Sequence, residues 1–146
     1  MDEFFKYDPL TAGSKGLVFI GDKILVYRRD NKTGNHPNEL DLPGGGPEEN
    51  ETPFETFQRE VKEEFQLDLL PNDIVYVRKY PGTFEQGKFG YYPVAKLPKE
   101  VESNIKFGNE GVEFLLMSLD EYINRDDAWP VFQERAKDYL KAQFKA

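Results

Sequence analysis

Residues 44–67 read GGGPEENETPFETFQREVKEEFQL, a glycine-rich turn that runs into an acid-rich helix. Three residues mark the helix start. Thr52 can cap free backbone N–H groups, Pro53 suits the first helical position, and Glu55 completes a Thr-x-x-Glu capping box. Phe54, Phe57, Val61 and Phe65 follow at offsets of three, four and four, so they share one face. Glu60, Glu63 and Glu64 gather on a neighbouring face, because residues three and four apart are neighbours on a helix.

That acidic face has two readings. Taken alone, a run of charge on an acidic protein is a solvated surface and needs no ligand. Yet like charges this close destabilise an isolated helix by about 0.2–0.5 kcal/mol per pair. A hard divalent cation removes the repulsion, since Mg²⁺ is bound by a few carboxylates together with waters and phosphate oxygens.

The segment resembles the Nudix box, whose family pattern is G-x5-E-x7-R-E-U-x-E-E-x-G-U, with U a bulky aliphatic residue. Gly45, Glu51, Arg59, Glu60, Val61, Glu63, Glu64 and Leu67 meet it at the right spacings. Gln66 stands where the family has its last glycine, a residue that permits left-handed backbone at a helix end. Either Gln66 is strained or the helix runs on by a few residues.

The resemblance implies an α/β fold: an α/β/α sandwich around a mixed β-sheet, with the box as a loop–helix–loop at the active site. It implies hydrolysis of a nucleoside diphosphate linked to another group X. A diphosphate is anionic and repels a nucleophilic water, so the reaction depends on divalent cations that neutralise charge and activate the water. By the same resemblance Glu60, Glu63 and Glu64 are the carboxylate ligands of Mg²⁺, with Mn²⁺ as a substitute, and Gly44 offers its backbone carbonyl. Arg59 pairs with Glu51 and orients the ligand helix; the plain alternative is a surface salt bridge worth under about 1 kcal/mol. Glu60 or Glu64 helps to activate water.

Composition agrees with a small-molecule enzyme. At 146 residues the chain is long enough for a real core and is expected to be one domain spanning residues 1–146. Its net charge of −8 makes it a poor binder of long nucleic acid. Small nucleoside phosphates remain suitable, because a bound metal inverts the local field. There is no cysteine, hence no disulfide framework and no thiolate chemistry. The first residues, MDEFFKYDPL, are not a signal peptide, and no apolar run approaches a membrane span. The expected location is the cytoplasm, without a membrane partner. No interface signature fixes an oligomeric state.

Outward from the box, residues 1–14 read as an irregular or partly extended lead-in. Residues 16–20 and 23–29 are β-rich runs around a Gly21-Asp22 hairpin turn. Residues 30–39 form a polar loop holding the only histidine, His36, either a surface residue or a substrate contact. Residues 40–42 are a short strand, and residues 74–80 are another. The run 88–97 is interrupted by Gly90 and Pro93, which points to a bulge or an edge position. A strand over 112–117 precedes a short helix to about Asn124 with a Ser118/Glu121 capping box. A last helix begins near Trp129-Pro130, with Phe132, Ala136, Tyr139 and Leu140 as its apolar face.

Many enzymes of the resembled family recruit one more acid from outside the box. Glu110 and Glu113 are the candidates, with Glu110 ahead because it lies in a loop; an ordinary surface acid is the alternative for each. A base platform needs an aromatic or apolar slot, and Tyr27, Phe84, Phe89, Tyr91, Tyr92 and Trp129 are available, although each also suits core or surface. A (d)NTP-type, MutT-like pyrophosphohydrolase is the first expectation, because the chain is short. ADP-ribose or another nucleoside diphosphate sugar is second, and an RNA 5′ end third. A binding module from a Nudix domain without catalysis is the alternative of another class. An EF-hand is excluded, since its alternating acidic loop is absent.

Overall fold

The computed structural model describes residues 1–30, 37–82, 86–108 and 111–144. Along the chain the strands are β1 (Thr11–Lys15), β2 (Leu17–Ile20), β3 (Lys23–Arg28), β4 (Leu40–Asp41), β5 (Gly44–Gly45), β6 (Ile74–Pro81), β7 (Phe89–Leu97) and β8 (Glu113–Met117). The helices are α1 (Pro53–Phe65), α2 (Leu119–Ile123) and α3 (Pro130–Phe144), with short 3-10 turns at Asp2–Phe5, Pro71–Asp73 and Lys99–Asn104.

The longest strand, β7, organises the sheet. One edge pairs antiparallel with β6; the other pairs parallel with β1 and then with β2. β3 continues from β2 and carries β4 and β8, while β5 closes antiparallel on β1. The sheet is therefore mixed, and each face is covered. On one face α1 buries Phe54, Phe57, Val61 and Phe65 against Phe4, Leu25, Tyr27 and Tyr91. On the other, α2 and α3 bury Tyr122, Phe132, Ala136 and Tyr139 against Val26, Leu42, Tyr92 and Val94. This is the expected α/β/α sandwich. Each fully buried aromatic contributes about 1.5–3 kcal/mol, so the apolar face of α1 anchors the acidic face beside it.

Two strand expectations are corrected. The end of the expected lead-in is β1, an interior strand between β7 and β5. Its sequence, TAGSK, lacks the apolar alternation that marks strands, because close approach by β5 and α1 favours small residues there; Ser14 is buried and its hydroxyl donates to the carbonyl of Pro53 at 2.8 Å. Of the two alternatives for the interrupted run, β7 is no edge strand, while its pairing with β1 does shift register beside Gly90. Pro93, which has no N–H to donate, faces Gly16, where β1 gives way to β2. A Cβ on Gly16 would lie 2.0 Å from the Pro93 carbonyl oxygen, and the Gly16 N–H donates instead to Pro43.

The helix starts are as read. Thr52 and Glu55 exchange both capping bonds, at 2.9 and 3.1 Å. At α2 half of the expected box forms: Ser118 accepts from the Glu121 N–H, while the Glu121 carboxylate turns to Arg125. α1 ends at Phe65, and Gln66 adopts the left-handed conformation at φ 61°. Of the two alternatives for Gln66, strain is the one realised. No described helix is long and apolar enough to cross a membrane.

The left-handed region costs a non-glycine residue about 1–2 kcal/mol, and glycine's greater unfolded freedom takes back about 0.5–1 kcal/mol. Gln66→Gly is therefore expected to stabilise the protein by up to about 1 kcal/mol, raising Tm by about 2–4 °C in a calorimetric scan. A fall in Tm would show that the Gln66 side chain outweighs the backbone term.

Candidate active site

The site begins with how closely the glycine turn lies on β1. Gly44 pairs with Lys15, at φ 133°, and a Cβ there would come 2.1 Å from the Ser14 carbonyl oxygen. Only glycine lets the turn sit so low. From this position its N–H donates to Glu64 Oε1 at 3.2 Å. Glu60 lies against the next residue, where a Cβ on Gly45 would be 2.7 Å from its carboxyl carbon. Two of the three box acids thus rest on the turn that precedes their helix.

Arg59 ties the remaining pieces together. Its Nε donates to Glu51 Oε2 at 2.7 Å and its Nη2 to Glu51 Oε1 at 3.1 Å, a bidentate pair. Nη2 also reaches the Gly46 carbonyl at 2.9 Å, and Nη1 reaches Glu60 at 3.0 Å and Glu63 at 3.3 Å. Glu51 is further held by the Glu48 N–H and the Thr56 hydroxyl. The Arg59 contact holds the Glu51 carboxyl below its ordinary range, and Glu51 in turn raises the guanidinium. Turn, helix start and acidic face are fastened at one guanidinium, a larger task than that of a surface ion pair.

Glu64 differs from its neighbours. It is 1% exposed, whereas Glu63 is half exposed. Burial pushes the Glu64 carboxyl from 4.5 up to about 9, against the opposing effects of the Gly44 N–H and the charge of Lys15. Among the described residues the three box acids do not converge into a formed cation cage: Arg59 holds Glu60 and Glu63, and Glu64 faces Gly44. The donor set is nonetheless carboxylate oxygen beside a backbone turn, the chemistry of hard cations. A buried acid without an ion pair is the kind of group a bound cation would satisfy.

The other sequence candidates are dispersed. Glu110 and His36, with Phe84, lie outside the described residues. Glu113 sits on β8 opposite Arg28, 3.9 Å from its Nε. The chain before Glu110 runs beside the end of α1, where the Gly108 N–H donates to the Glu64 carbonyl at 2.8 Å. Tyr27, Tyr91 and Tyr92 are core residues, and Trp129 packs edge-on against Phe132. Sequence reading missed a polar cluster beside Glu64, made of Lys15, Arg29, Tyr27 and Asp41. A lysine in a strand without apolar alternation carries no signal that it points inward.

Glu64 makes the metal-free fold sensitive to pH. The folded state keeps the proton up to about pH 9, while the unfolded chain releases it near 4.5. A raised folded-state value means that this contribution is complete below pH 4.5 and is lost as pH rises through 9. In EDTA, Glu64→Gln is expected to raise Tm at pH 8 and to lose that advantage toward pH 5, as read by thermal unfolding at both values. An equal Tm for variant and wild type at pH 8 would mean that Glu64 is not strained by its burial.

The NUDIX domain family model matches residues 12–139. Among solved structures the chain is similar to the MutT protein from Methanosarcina mazei Go1, with 24% identity over 88% of this chain and 94% of that one, at a TM-score of 0.65. It is similar to the bifunctional NMN adenylyltransferase/ADP ribose pyrophosphatase from Francisella tularensis, complexed with AMP and a manganese ion. There the identity is 21% over 93% of this chain but 42% of that one, at a TM-score of 0.70. The E. coli dihydroneopterin triphosphate pyrophosphohydrolase shares 15% identity over 94% and 99% of the two chains, at a TM-score of 0.65. No curated protein matches the sequence. These structural likenesses, all under 25% identity, show the fold. The family match spans most of the chain and includes the box, so this chain belongs to the NUDIX domain family.

Proposed function

We propose that this Nudix hydrolase cleaves the diphosphate linkage of a nucleoside diphosphate linked to X, and that its substrates are of the (d)NTP type. The buried Glu64, without an ion pair among the described residues and next to Glu60 and Glu63 on one helix face, carries the reading. Glu60, Glu63, Glu64 and the Gly44 carbonyl would hold Mg²⁺, with Mn²⁺ as a substitute. When bound, the metal supplies charge neutralisation and a more acidic water. Arg59 and Glu51 keep the ligand helix in register with the turn. Glu60, against Gly45, or Glu64, whose buried carboxyl a bound cation would ionise, takes the proton from the attacking water.

Glu110 is the further acid we assign to the site, supported by the bond from nearby Gly108 to the Glu64 carbonyl. A small nucleoside phosphate suits a chain of net charge −8 better than an RNA end or a long nucleic acid. ADP-ribose or a nucleoside diphosphate sugar is the alternative substrate class, and a nucleotide sensor the alternative role.

The decisive assay is phosphate or pyrophosphate release from (d)NTPs, oxidised (d)NTPs, ADP-ribose, nucleoside diphosphate sugars and dinucleoside polyphosphates, with Mg²⁺ or Mn²⁺. Turnover of (d)NTPs is expected. Glu64→Gln should lower it by more than the roughly 10–100-fold typical of removing a group that merely supports a metal ligand. Turnover confined to a sugar class would replace the first substrate reading; binding without any turnover would leave a sensor. In the same assay Glu110→Gln is expected to reduce kcat strongly with an unchanged circular dichroism spectrum, and near-normal kcat would remove Glu110 from the site.

A further inference from the structure

Lys15 lies where the glycine turn, the sheet and α3 meet. It is the β1 partner of Gly44, whose absent Cβ would touch the Lys15 Cα and Cβ at 2.5 and 2.9 Å. Its ammonium reaches 2.7 Å from Asp41 Oδ2 and 5.8 Å from the centre of the Phe132 ring. Asp41 is buried on β4, and the same oxygen also accepts from Arg29 Nη1 at 2.8 Å and from the Tyr27 hydroxyl at 3.2 Å. Its other oxygen accepts from the Leu42 N–H at 2.8 Å.

Two cations on one carboxylate leave one positive charge in excess. Glu64, the neighbouring acid, makes no ion pair with Lys15 and belongs to the proposed metal face. An acidic protein has therefore placed a surplus cation beside the acidic face of α1. The excess charge is available to a ligand: the Lys15 side chain is 21% exposed, and its flexible stem carries a compact charge. If the ammonium left Asp41, that carboxylate would keep Arg29, Tyr27 and Leu42 N–H as donors. The exchange therefore orphans no buried group, the condition under which a charged pair can be opened cheaply.

We propose that Lys15 binds a phosphate beyond the two expected at the carboxylate face, so that the site selects a triphosphate over a diphosphate. Arg29 is the residue that stays with Asp41 when Lys15 turns to the substrate. This rests on the hydrolase reading above and narrows its substrate class to nucleoside triphosphates, because a nucleoside diphosphate sugar has no third phosphate to give.

The test is calorimetric binding of methylene-bridged triphosphate and diphosphate analogues, which resist hydrolysis, in saturating Mg²⁺. Wild type is expected to prefer the triphosphate by about tenfold, the size of one charge-assisted contact. Lys15→Gln keeps a donor for Asp41 but no charge, and should bring the two affinities to within about twofold, while Lys15→Arg should retain the preference. A merely structural lysine predicts a lower Tm for Lys15→Gln with the preference intact, and that result overturns the proposal, as does a wild type without preference. A preference that depends on Lys15 in a protein that turns over none of the nucleotides would leave the phosphate site standing and remove the hydrolase reading. Turnover without the preference would do the reverse.

Discussion

The Glu64 carboxyl is buried on the support of one backbone N–H, and much of the site follows from how that N–H comes to be there. Gly44 can offer it because the turn lies almost in contact with β1, closer than any side chain would permit. The approach in turn needs small residues on β1 and a helix that starts where the turn ends. Thr52, Pro53 and Glu55 supply that start, and the row Phe54, Phe57, Val61 and Phe65 fixes the rotation of α1 on the sheet. With the apolar row buried, the acids have little freedom: Glu64 goes inward, Glu60 lies against Gly45, and Glu63 stays half exposed. The arrangement is set by packing before any ion is considered.

Arg59 explains why three acids on one helix are tolerated. Each like pair is unfavourable by about 0.2–0.5 kcal/mol on an isolated helix. One guanidinium that touches Glu51, Glu60 and Glu63 offsets much of this and joins the turn to the helix through Gly46. The same contacts hold Glu60 and Glu63 on one guanidinium without letting them collapse together. Glu64 lies outside the reach of Arg59, and the nearby positive charge of Lys15 lowers its carboxyl only partly against burial. The division of labour has a physical sense, since exposed acids can be held by an arginine, whereas a buried acid beside a backbone turn retains a stronger demand for a cation.

On the far side of the turn, Asp41 shows the opposite balance. Burial alone would raise its carboxyl, yet Lys15, Arg29 and the Leu42 N–H hold it below its ordinary range. Two buried carboxyls lie within each other's field, one ionised by two cations and one kept protonated by burial. Environment alone separates them.

Much of this was legible in the amino-acid order. The capping box, the apolar row and the acidic face are determined within one segment, where helical periodicity converts spacing directly into geometry, and the Glu51–Arg59 pair was implied by the family resemblance. Gln66 marked the helix exit, and only the folded chain decided that its backbone, not the helix length, would give way. Strand β1 escaped notice because a strand packed tightly between a turn and a helix is made of small residues and shows no alternation. Gly90 and Pro93 suggested a bulge or an edge; the register shifts beside Gly90, and the break in the neighbouring strand that accommodates Pro93 lies at Gly16, far away in the chain. Lys15 and Asp41 are 26 residues apart and meet through the register of β1, β5 and β4. Sequence by itself determined α1, its cap and the acidic face beside its apolar row, because those interactions are local. Tertiary structure alone decided which acid is buried, which cations face it and how near the turn lies, because these depend on backbone approach between strands that no local spacing encodes.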